Sequence, residues 1–265
     1  MKKSVYDAGS TSRFGYEWNK YAKIIPEYEL QFLKWVFPLT KKDFKGKKVL
    51  DVGCGIGRNS FWPLMYGAKE VVALDYDSRT VEVARRNLLG YKNARVIYNS
   101  VYNINFDEEF DISFSIGVIH HLESPEEAVK KMIKASKKNG KVLLWVYGYE
   151  GNEPIVKYVN PIRKITSRLP VFITYLLSYF FSTPIYFYVK LIPQKTAYFK
   201  QLSSFKFWHI HSIVFDQLLP QIANYWKKEE ALALLNDSGL EDVRAYRVNN
   251  NSWTVLGKKK NGISV

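Results

Sequence analysis

The sequence of 265 residues contains a single cysteine, Cys54. One thiol forms neither an internal disulfide nor a thiolate metal cluster, so disulfide-stabilised scaffolds and multi-cysteine metal sites are excluded. This scarcity also favours a reducing compartment, and we therefore expect a cytoplasmic protein. The N-terminal stretch has basic residues but no apolar run behind them, so we expect no signal peptide.

Acidic residues are also scarce, because 25 Asp and Glu stand against 39 Lys and Arg, a formal net charge of +14. A balance this basic favours anionic partners: nucleic acid, an acidic lipid surface, or a phosphorylated or carboxylated substrate. It does not choose among them. Hydrophobic residues make up 47% of the chain and aromatic residues 16%, which excludes extensive disorder and leaves ample material for a core.

Three glycines at alternate positions, Gly53, Gly55 and Gly57, follow the apolar run 49–52. The run predicts a short buried strand, and the residues after the turn can begin a helix whose free N–H groups face the same spot. Glycine permits a positive φ and lets a ligand lie against bare backbone. The dinucleotide fingerprint requires its third glycine where this chain has Arg58, which favours a ligand with an adenosine but no phosphates.

A second apolar run, 71–74, ends at Asp75, which is followed by Tyr76 and Asp77. An acid in this place, roughly 20 residues after the glycines, is where a ribose diol is bound. Together the D-x-G-x-G-x-G turn and this strand end resemble the class I S-adenosylmethionine-dependent methyltransferases. The turn after the fourth strand, 115–122, resembles the small-molecule branch of this family, of methyltransferase types 11 and 12, and the lead-in Phe14-Gly15-Tyr16-Glu17-Trp18 resembles an uncharacterised bacterial subgroup. The alternative is a plain Rossmann-like domain that binds another nucleotide.

The resemblance runs from about residue 47 to 147 and returns near the C-terminus. It implies an α/β fold: a doubly wound, Rossmann-like, seven-stranded sheet with a C-terminal antiparallel hairpin and a helical cap inserted after strand five. Alternating strand and helix patterns predict the parallel part of this sheet independently. The predicted strands are 49–52, 71–74, 95–98, 110–115, 141–147, 243–248 and 253–256. The predicted helices are 78–87, capped by Asp77 or Ser78, then 126–138, ended by Asn139-Gly140, and 227–237.

We divide the chain into four segments. They are an N-terminal helical lid (1–45), a cofactor-binding core (46–147), a hydrophobic helical cap insertion (148–225), and a final helix and β-hairpin that complete the core (226–265). In the lid, the apolar spacing from Glu27 to Pro38 predicts an amphipathic helix that packs on the sheet edge. The resemblance suggests a second role, in which Tyr16, Glu17 and Trp18 close on the methionine end of the cofactor.

The resemblance implies that S-adenosyl-L-methionine is the cofactor. The backbone of the three glycines would meet its aminoacid part, and Asp51 would orient that end. Asp75 would accept hydrogen bonds from both ribose hydroxyls, as a charged acceptor for two donors. Tyr76 would lie on the adenine face.

The adenine edge is where this sequence departs from the family pattern. Many relatives have an aspartate after the third strand, but this chain has Asn99, Ser100 and Val101. We therefore expect Ser100 or Asn99 to accept from the exocyclic amine, and the N–H of Val101 to serve the ring. Ser115, at the end of the fourth strand, completes the predicted cofactor set.

The fourth strand runs into His120 and His121, at an edge that lines the substrate crevice in open α/β sheets. This turn lacks the Asn-Pro-Pro-Tyr type of motif of amino-methylating nucleic-acid enzymes, and no cysteine remains for methylation of pyrimidine C5. A hydroxyl or a protonated amine needs a base to take its proton, and histidine has the appropriate pKa range. We favour His120 as the substrate-facing base. In the alternative, one or both histidines merely pack at a helix start.

The insertion contains a second histidine pair, His209 and His211, followed by Asp216. Alternate histidines with an acid can bind a metal, but no third clear ligand is present, so we expect none. A polar patch is favoured instead, with His211 and Asp216 facing the acceptor.

An uncharged apolar run covers residues 169–189. Because proline breaks a helix, this run predicts two short helices that meet near Ser182-Thr183-Pro184. Their apolar faces would cover the substrate pocket or rest in a bilayer interface. In the second case acidic head groups would be reached by basic side chains at either end of the run, namely Arg163, Lys164, Arg168, Lys190 and Lys195.

The sequence therefore predicts a cytoplasmic transferase that moves a methyl group from S-adenosylmethionine to a small or amphipathic acceptor, with oxygen preferred. Peripheral contact with an anionic membrane is an added expectation. One alternative is an RNA or protein methyltransferase that uses the basic surface, and another is a cofactor-binding partner subunit without catalysis.

Overall fold

The computed structural model describes residues 23–195, 197–236 and 239–262, which form two compact units. Among these residues, the first unit contains the chain up to Asn152 and again from Asn224 onward. The second unit is Glu153–Ala223. The first unit carries the sheet, and the second is helical.

The sheet consists of β1 (Lys48–Val52), β2 (Glu70–Asp75), β3 (Ala94–Tyr98), β4 (Phe110–Ile116), β5 (Ser136–Tyr147), β6 (Leu240–Val248) and β7 (Ser252–Lys259). Their order across the sheet is β3-β2-β1-β4-β5-β7-β6. Strands β1 to β5 are parallel, whereas β7 pairs antiparallel with β5 and with β6. The predicted seven-stranded, Rossmann-like sheet with a C-terminal antiparallel hairpin is confirmed.

The described residues of both units contain α-helices. They are α1 (Tyr28–Trp35), α2 (Lys41–Phe44), α3 (Arg58–Met65), α4 (Ser78–Asn87), α5 (Pro125–Ala135), α6 (Asn160–Thr166), α7 (Val171–Leu191), α8 (Ala197–Ser204), α9 (Phe207–Leu218) and α10 (Lys228–Ala233). Short 3₁₀ turns at Val101–Asn103 and Ile119–His121 follow β3 and β4. A π-helical turn, Ile155–Val159, precedes α6.

The central strands are largely buried, because a parallel sheet is covered on both faces. In β1, Val49, Leu50 and Val52 are each 1% exposed or less. The edge strand β3, in contrast, has no fully buried residue. The strand order reverses between β1 and its neighbour β4, so the turn after β1 lies at the switch point where open α/β sheets bind their ligands.

The structure corrects the predicted end of α5. The sequence suggested a helix to Lys138, but α5 ends at Ala135 and β5 begins at Ser136. The Oγ atom of Ser136 lies 2.9 Å from the carbonyl oxygen of Met132 and 2.8 Å from Oγ of Ser113. This buried serine therefore ends the helix and joins it to the sheet. The residues between it and Lys141 form an irregularity in the pairing with β4.

The structure also corrects the two short helices predicted around Pro184. Residues 171–191 form one helix, with Pro184 inside it. Packing beyond the proline explains why the helix continues: Val189 lies in a cluster with Leu202 of α8 and Ile210 of α9. By length and composition alone, α7 is the one helix among the described residues that is able to cross a membrane. Such a single helix is weak support for a membrane span.

Replacing Pro184 with alanine tests whether α7 is continuous. Proline in a helix interior costs about 3 kcal/mol relative to alanine. Pro184 is exposed, so its removal sacrifices little packing. We expect Pro184→Ala to raise the free energy of unfolding by roughly 1–3 kcal/mol in urea titrations. Pro170→Ala, at the N-cap of the same helix, is the control and should change it by less than about 1 kcal/mol. A loss of stability in Pro184→Ala would contradict the continuous helix.

Candidate functional site

The glycine turn connects β1 to α3 through three residues of positive φ. The φ angles of Gly53, Gly55 and Gly57 are 76°, 54° and 79°. The N–H groups of Gly53 and Cys54 both donate to the carbonyl oxygen of Leu74, over 2.8 and 2.9 Å. The turn is therefore fixed to the end of β2, where the predicted ribose acceptor lies.

The three glycines are required for different reasons. A Cβ on Gly53 would lie 2.3 Å from a methyl group of Val118, so a side chain is excluded by the turn after β4. A Cβ on Gly57 would press on Leu88 at 3.1 Å, which reflects close packing of the turn against the end of α4. A Cβ on Gly55 would meet no atom within 4 Å among the described residues. Gly55 therefore offers open space above bare backbone, as a ligand requires.

Asp75 ends β2 and is joined to the glycine turn directly. Its Oδ2 atom accepts from the N–H of Gly55 over 2.9 Å, and its Oδ1 atom accepts from the N–H of Asp77 over 3.0 Å. Desolvation raises the pKa of Asp75. Each carboxylate oxygen can accept more than one hydrogen bond, so capacity remains for two ligand hydroxyls.

Asp51, on β1, is 1% exposed and precedes the same turn in the sequence. Its Oδ2 atom accepts from Oγ of Ser60 over 2.6 Å. Burial, together with the negative charge of Asp75, raises the pKa of Asp51 to about 7. Its Oδ1 atom is buried and has no hydrogen-bond partner among the described residues. A buried acceptor in this condition is suited to a donor or a cation brought by a ligand.

Two tyrosines stand beside Asp75 at the ends of neighbouring strands. The rings of Tyr76 and Tyr98 are parallel within 3°, with centroids 5.7 Å apart. Tyr98 pairs with Asp75 in the β2–β3 register and is 52% exposed. Sequence reasoning named Tyr76 but missed Tyr98, although an aromatic residue at the end of an edge strand was a usable signal. The pair provides an aromatic surface next to the acid.

The other predicted cofactor residues have structural duties. Oγ of Ser100 accepts from the N–H of Tyr102 over 3.3 Å and caps the following 3₁₀ turn, and Val101 is 6% exposed within the main core. Ser115 is fully buried, and its hydroxyl donates to the carbonyl oxygen of Val52 over 2.8 Å. Ser115 thus joins β4 to β1, and its burial favours this structural role over ligand contact.

The two histidines after β4 lie among aromatic rings. His120 is fully buried, and its ring stacks on Tyr147 with centroids 3.8 Å apart. The ring of His121 lies 4.2 Å from that of His120, and Tyr147 also stacks on Tyr225. Because His120 is buried and His121 is partly exposed, the structure does not favour His120 as the substrate-facing member. His121 is the more accessible of the two.

The predicted acceptor residues of the insertion are separated by burial. His211 is fully buried, with Nε2 2.8 Å from Oγ of Ser178 and Tyr179 at a ring distance of 4.1 Å. It packs α9 against α7, so the expectation of a polar, acceptor-facing His211 is not supported. Asp216 is half-buried on α9. Tyr16 and Trp18 lie outside the described residues. Among those described, no three His, Cys, Asp or Glu side chains form a metal-binding group.

The buried carboxylate of Asp51 gives a pH-dependent stability that can be measured. The folded-state pKa of about 7 exceeds the ordinary 3.8, so the folded state binds a proton more tightly than the unfolded state. Stability therefore falls as the pH rises between these values, by up to about 1.4 kcal/mol per unit. We expect Asp51→Asn to remove this slope in urea titrations without ligand. Asp107→Asn, at an exposed aspartate, is the control. If the free energy of unfolding depended on pH in the same way in Asp51→Asn and in the native protein, the raised pKa of Asp51 would be refuted.

Part of this chain matches known methyltransferases. Residues 50–144 match a family model described as a methyltransferase domain. Over 127 residues the chain is 32% identical to a tRNA U34 carboxymethyltransferase of Campylobacter hominis, covering 47% of this chain and 44% of that protein. Over 119 residues it is 33% identical to a mitochondrial ubiquinone biosynthesis O-methyltransferase of Schizosaccharomyces pombe, covering 43% of each. The match thus spans less than half the length of either relative.

The same fold occurs in a solved structure described as a SAM dependent methyltransferase from Aquifex aeolicus. The TM-score is 0.54 at 18% identity, and the match covers 92% of this chain and 98% of that one. At this identity the likeness shows the fold alone, but the fold agrees with the domain match and with the acid–glycine–acid arrangement. Residues 50–144 therefore form a methyltransferase domain, in a chain that has the class I, Rossmann-like methyltransferase fold.

Proposed function

We propose that this protein transfers a methyl group from S-adenosylmethionine to a small or amphipathic acceptor, with oxygen as the preferred acceptor atom. The observation that carries the proposal is the arrangement of Asp51, Gly55 and Asp75 around one turn. It combines a buried acceptor oxygen, open backbone and a second carboxylate with spare acceptor capacity.

These residues fit the family's cofactor group by group. Oδ1 of Asp51 suits the ammonium of the aminoacid part, and the backbone at Gly55 leaves room for that part. Asp75 suits the two ribose hydroxyls, because hydrogen bonds to a charged acceptor are the strong ones. Tyr76 and Tyr98 offer a ring surface to adenine. When bound, the cofactor supplies a methyl group that is already activated on a sulfonium.

The chain's remaining tasks are to orient the acceptor, exclude water and remove a proton. Strands β4 and β5 end in a cluster of rings formed by His120, His121, Trp145, Tyr147 and Tyr225. Such a cluster suits an aromatic or amphipathic acceptor better than a phosphate backbone. Within it His121 is partly exposed, whereas His120 is buried. We assign proton removal to His121 and positioning of its ring to His120.

The insertion of residues 148–225 is proposed to select the acceptor. The chain leaves the sheet after β5 and returns where Trp226 bridges to Gly148, so both ends of the insertion lie at one edge of the sheet. Parallel strands place the glycine turn and the histidine pair at that same edge. In this division, the lid (1–45) and core (46–147, 226–265) serve the cofactor. Contact of Asp216 with the acceptor, and closure of Tyr16 and Trp18 on the methionine end of the cofactor, remain predictions.

RNA methylation is a second candidate function, favoured by the net charge of +14 and by the tRNA enzyme among the relatives. The ubiquinone biosynthesis O-methyltransferase among them supports oxygen as the acceptor atom. A third candidate is a cofactor-binding partner subunit without catalysis. The single, buried cysteine is compatible with a reducing cytoplasm, where we place the protein.

Binding of the cofactor should depend on Asp75. We expect Asp75→Asn to weaken binding of S-adenosylmethionine by about 2–3 kcal/mol, because a charged acceptor of two hydroxyls is lost. Gly55→Ala should also weaken binding, at least about 10-fold, by filling the ligand's space, while its positive φ costs the fold only about 1–2 kcal/mol. Titration calorimetry measures both effects, with Asp107→Ala as the surface control. Native affinity in Asp75→Asn would remove this residue from the site.

Incubation with methyl-labelled S-adenosylmethionine tests the function itself. Lipid, small-molecule, RNA and protein fractions of an extract serve as acceptor pools, and we expect label in the lipid or small-molecule fraction. Label in RNA or protein would contradict the proposed acceptor. Cofactor binding without label in any pool would favour the partner subunit.

The labelled pool then serves to compare the histidines. We expect His121→Gln to lower turnover roughly 100-fold with cofactor affinity unchanged. His120→Gln should lower turnover less, and its pH profile should keep the shape of the native one. The reverse ranking, in folded variants, would restore His120 as the base.

A further inference from the structure

Helix α7 has its large apolar side chains outside and its small polar ones inside. The residues that it buries completely are Thr174, Ser178 and Ser182, which follow one another at intervals of four. Its outer face carries Phe172, Leu176, Phe180, Phe187 and Leu191, which are 60, 59, 75, 54 and 76% exposed. A helix at a water-facing surface normally shows the opposite distribution.

The buried polar stripe is satisfied by the helices around it. Oγ1 of Thr174 donates to the carbonyl oxygen of Thr166 over 2.9 Å. Oγ of Ser178 is 2.8 Å from Nε2 of His211 on α9, and it donates to the carbonyl oxygen of Tyr175 over 2.6 Å. Small residues with hydrogen bonds between helices are the packing that proteins use in an apolar solvent. Helix α7 is therefore held from within, and its large apolar side chains remain exposed, as the described residues show.

The sequence before and after this helix carries charge of only one sign. Between Glu153 and Asp216 the sequence has eight Lys or Arg and no Asp or Glu. Seven of the eight are exposed, namely Lys157, Lys164, Arg168, Lys190, Lys195, Lys200 and Lys206. The eighth, Arg163, is 4% exposed, and its guanidinium donates to the carbonyl oxygen of Gln217. The predicted contact of Arg163 with acidic head groups is therefore wrong. No charge falls between Arg168 and Lys190.

This separation of charge and apolar surface distinguishes between anionic partners. Binding of single-stranded nucleic acid interleaves basic and aromatic side chains along a groove. Here the basic residues flank a continuous apolar run in the sequence. That distribution matches a bilayer interface, in which the apolar face enters the acyl region while Lys and Arg reach acidic head groups.

We propose that α7 docks this protein on an anionic membrane surface, with the helix lying in the interface plane. A crossing is disfavoured by the connectivity, because β7 pairs with β5 on the other side of the insertion in sequence. Both flanks must therefore stay on one side of the membrane. Helix α9, which returns along α7, has 12 residues, or about 18 Å, against the roughly 30 Å of a hydrocarbon core.

Membrane docking does not depend on the proposed methyl transfer, and its test uses no activity. The full-length protein is mixed with vesicles of phosphatidylcholine, with or without phosphatidylglycerol, and floated on a density gradient. We expect it to float with the anionic vesicles, to remain at the bottom with the neutral ones, and to lose binding as salt rises.

Two sets of variants separate the apolar and the charged contributions. Leu176→Gln with Phe180→Gln should reduce the floated fraction at least about 10-fold. The matched control is Leu30→Gln with Leu89→Gln, at leucines of the first unit that are 62 and 83% exposed. Replacement of Lys164, Arg168 and Lys195 with glutamine should reduce the floated fraction to a similar extent. Lys92, Lys130 and Lys138, exposed in the first unit, are the charge controls. Circular dichroism melts confirm that each variant is folded.

Several outcomes would overturn the proposal. They are failure of the native protein to float with anionic vesicles, equal losses in the control variants, and resistance of the bound protein to alkaline carbonate, which indicates a crossing. A fourth is a native dimer, in analytical ultracentrifugation without lipid, that Leu176→Gln with Phe180→Gln dissociates, because a second copy would then cover the face.

Discussion

Two desolvated carboxylates around one glycine turn are the constraint on which the candidate site depends. The charge of Asp75 adds to burial in raising the pKa of Asp51, so the ionised form of Asp75 disfavours ionisation of its neighbour. The N–H of Gly55 stabilises Asp75 from the turn itself. A ligand with an ammonium and a diol would satisfy both acids at once, because it brings donors to an unpartnered oxygen and to a carboxylate with spare capacity. The same two carboxylates would then determine both the affinity and the specificity for such a ligand.

The fold creates this constraint by its strand order. Strands β1 and β2 are adjacent and parallel, so their carboxyl ends bring Asp51 and Asp75 to the same turn. The edge where β4 and β5 end carries the histidine pair and its aromatic neighbours, and the same edge begins and ends the insertion. The first unit would thus offer the methyl donor an acidic, polar turn and the acceptor a separate cluster of aromatic rings.

Much of this arrangement follows from sequence, because local patterns determine it. The apolar runs, the glycines and the cap at Asp77 predicted the strands, the turn and helix α4. Residues whose role depends on tertiary contacts were harder to interpret. Ser136 ends α5 through a hydrogen bond to Ser113 of β4, and Pro184 stays within a helix because packing beyond it compensates. Burial of His120 and His211 likewise arises from rings that are distant in the chain.

A crystal structure with S-adenosylhomocysteine, the demethylated product, would test the central claim most directly. We expect the amino group of this ligand within hydrogen-bonding distance of Oδ1 of Asp51, both ribose hydroxyls on Asp75, and adenine beside Tyr76 and Tyr98. A ligand bound elsewhere, or one that leaves Oδ1 of Asp51 unpartnered and Asp75 without the ribose, would contradict it.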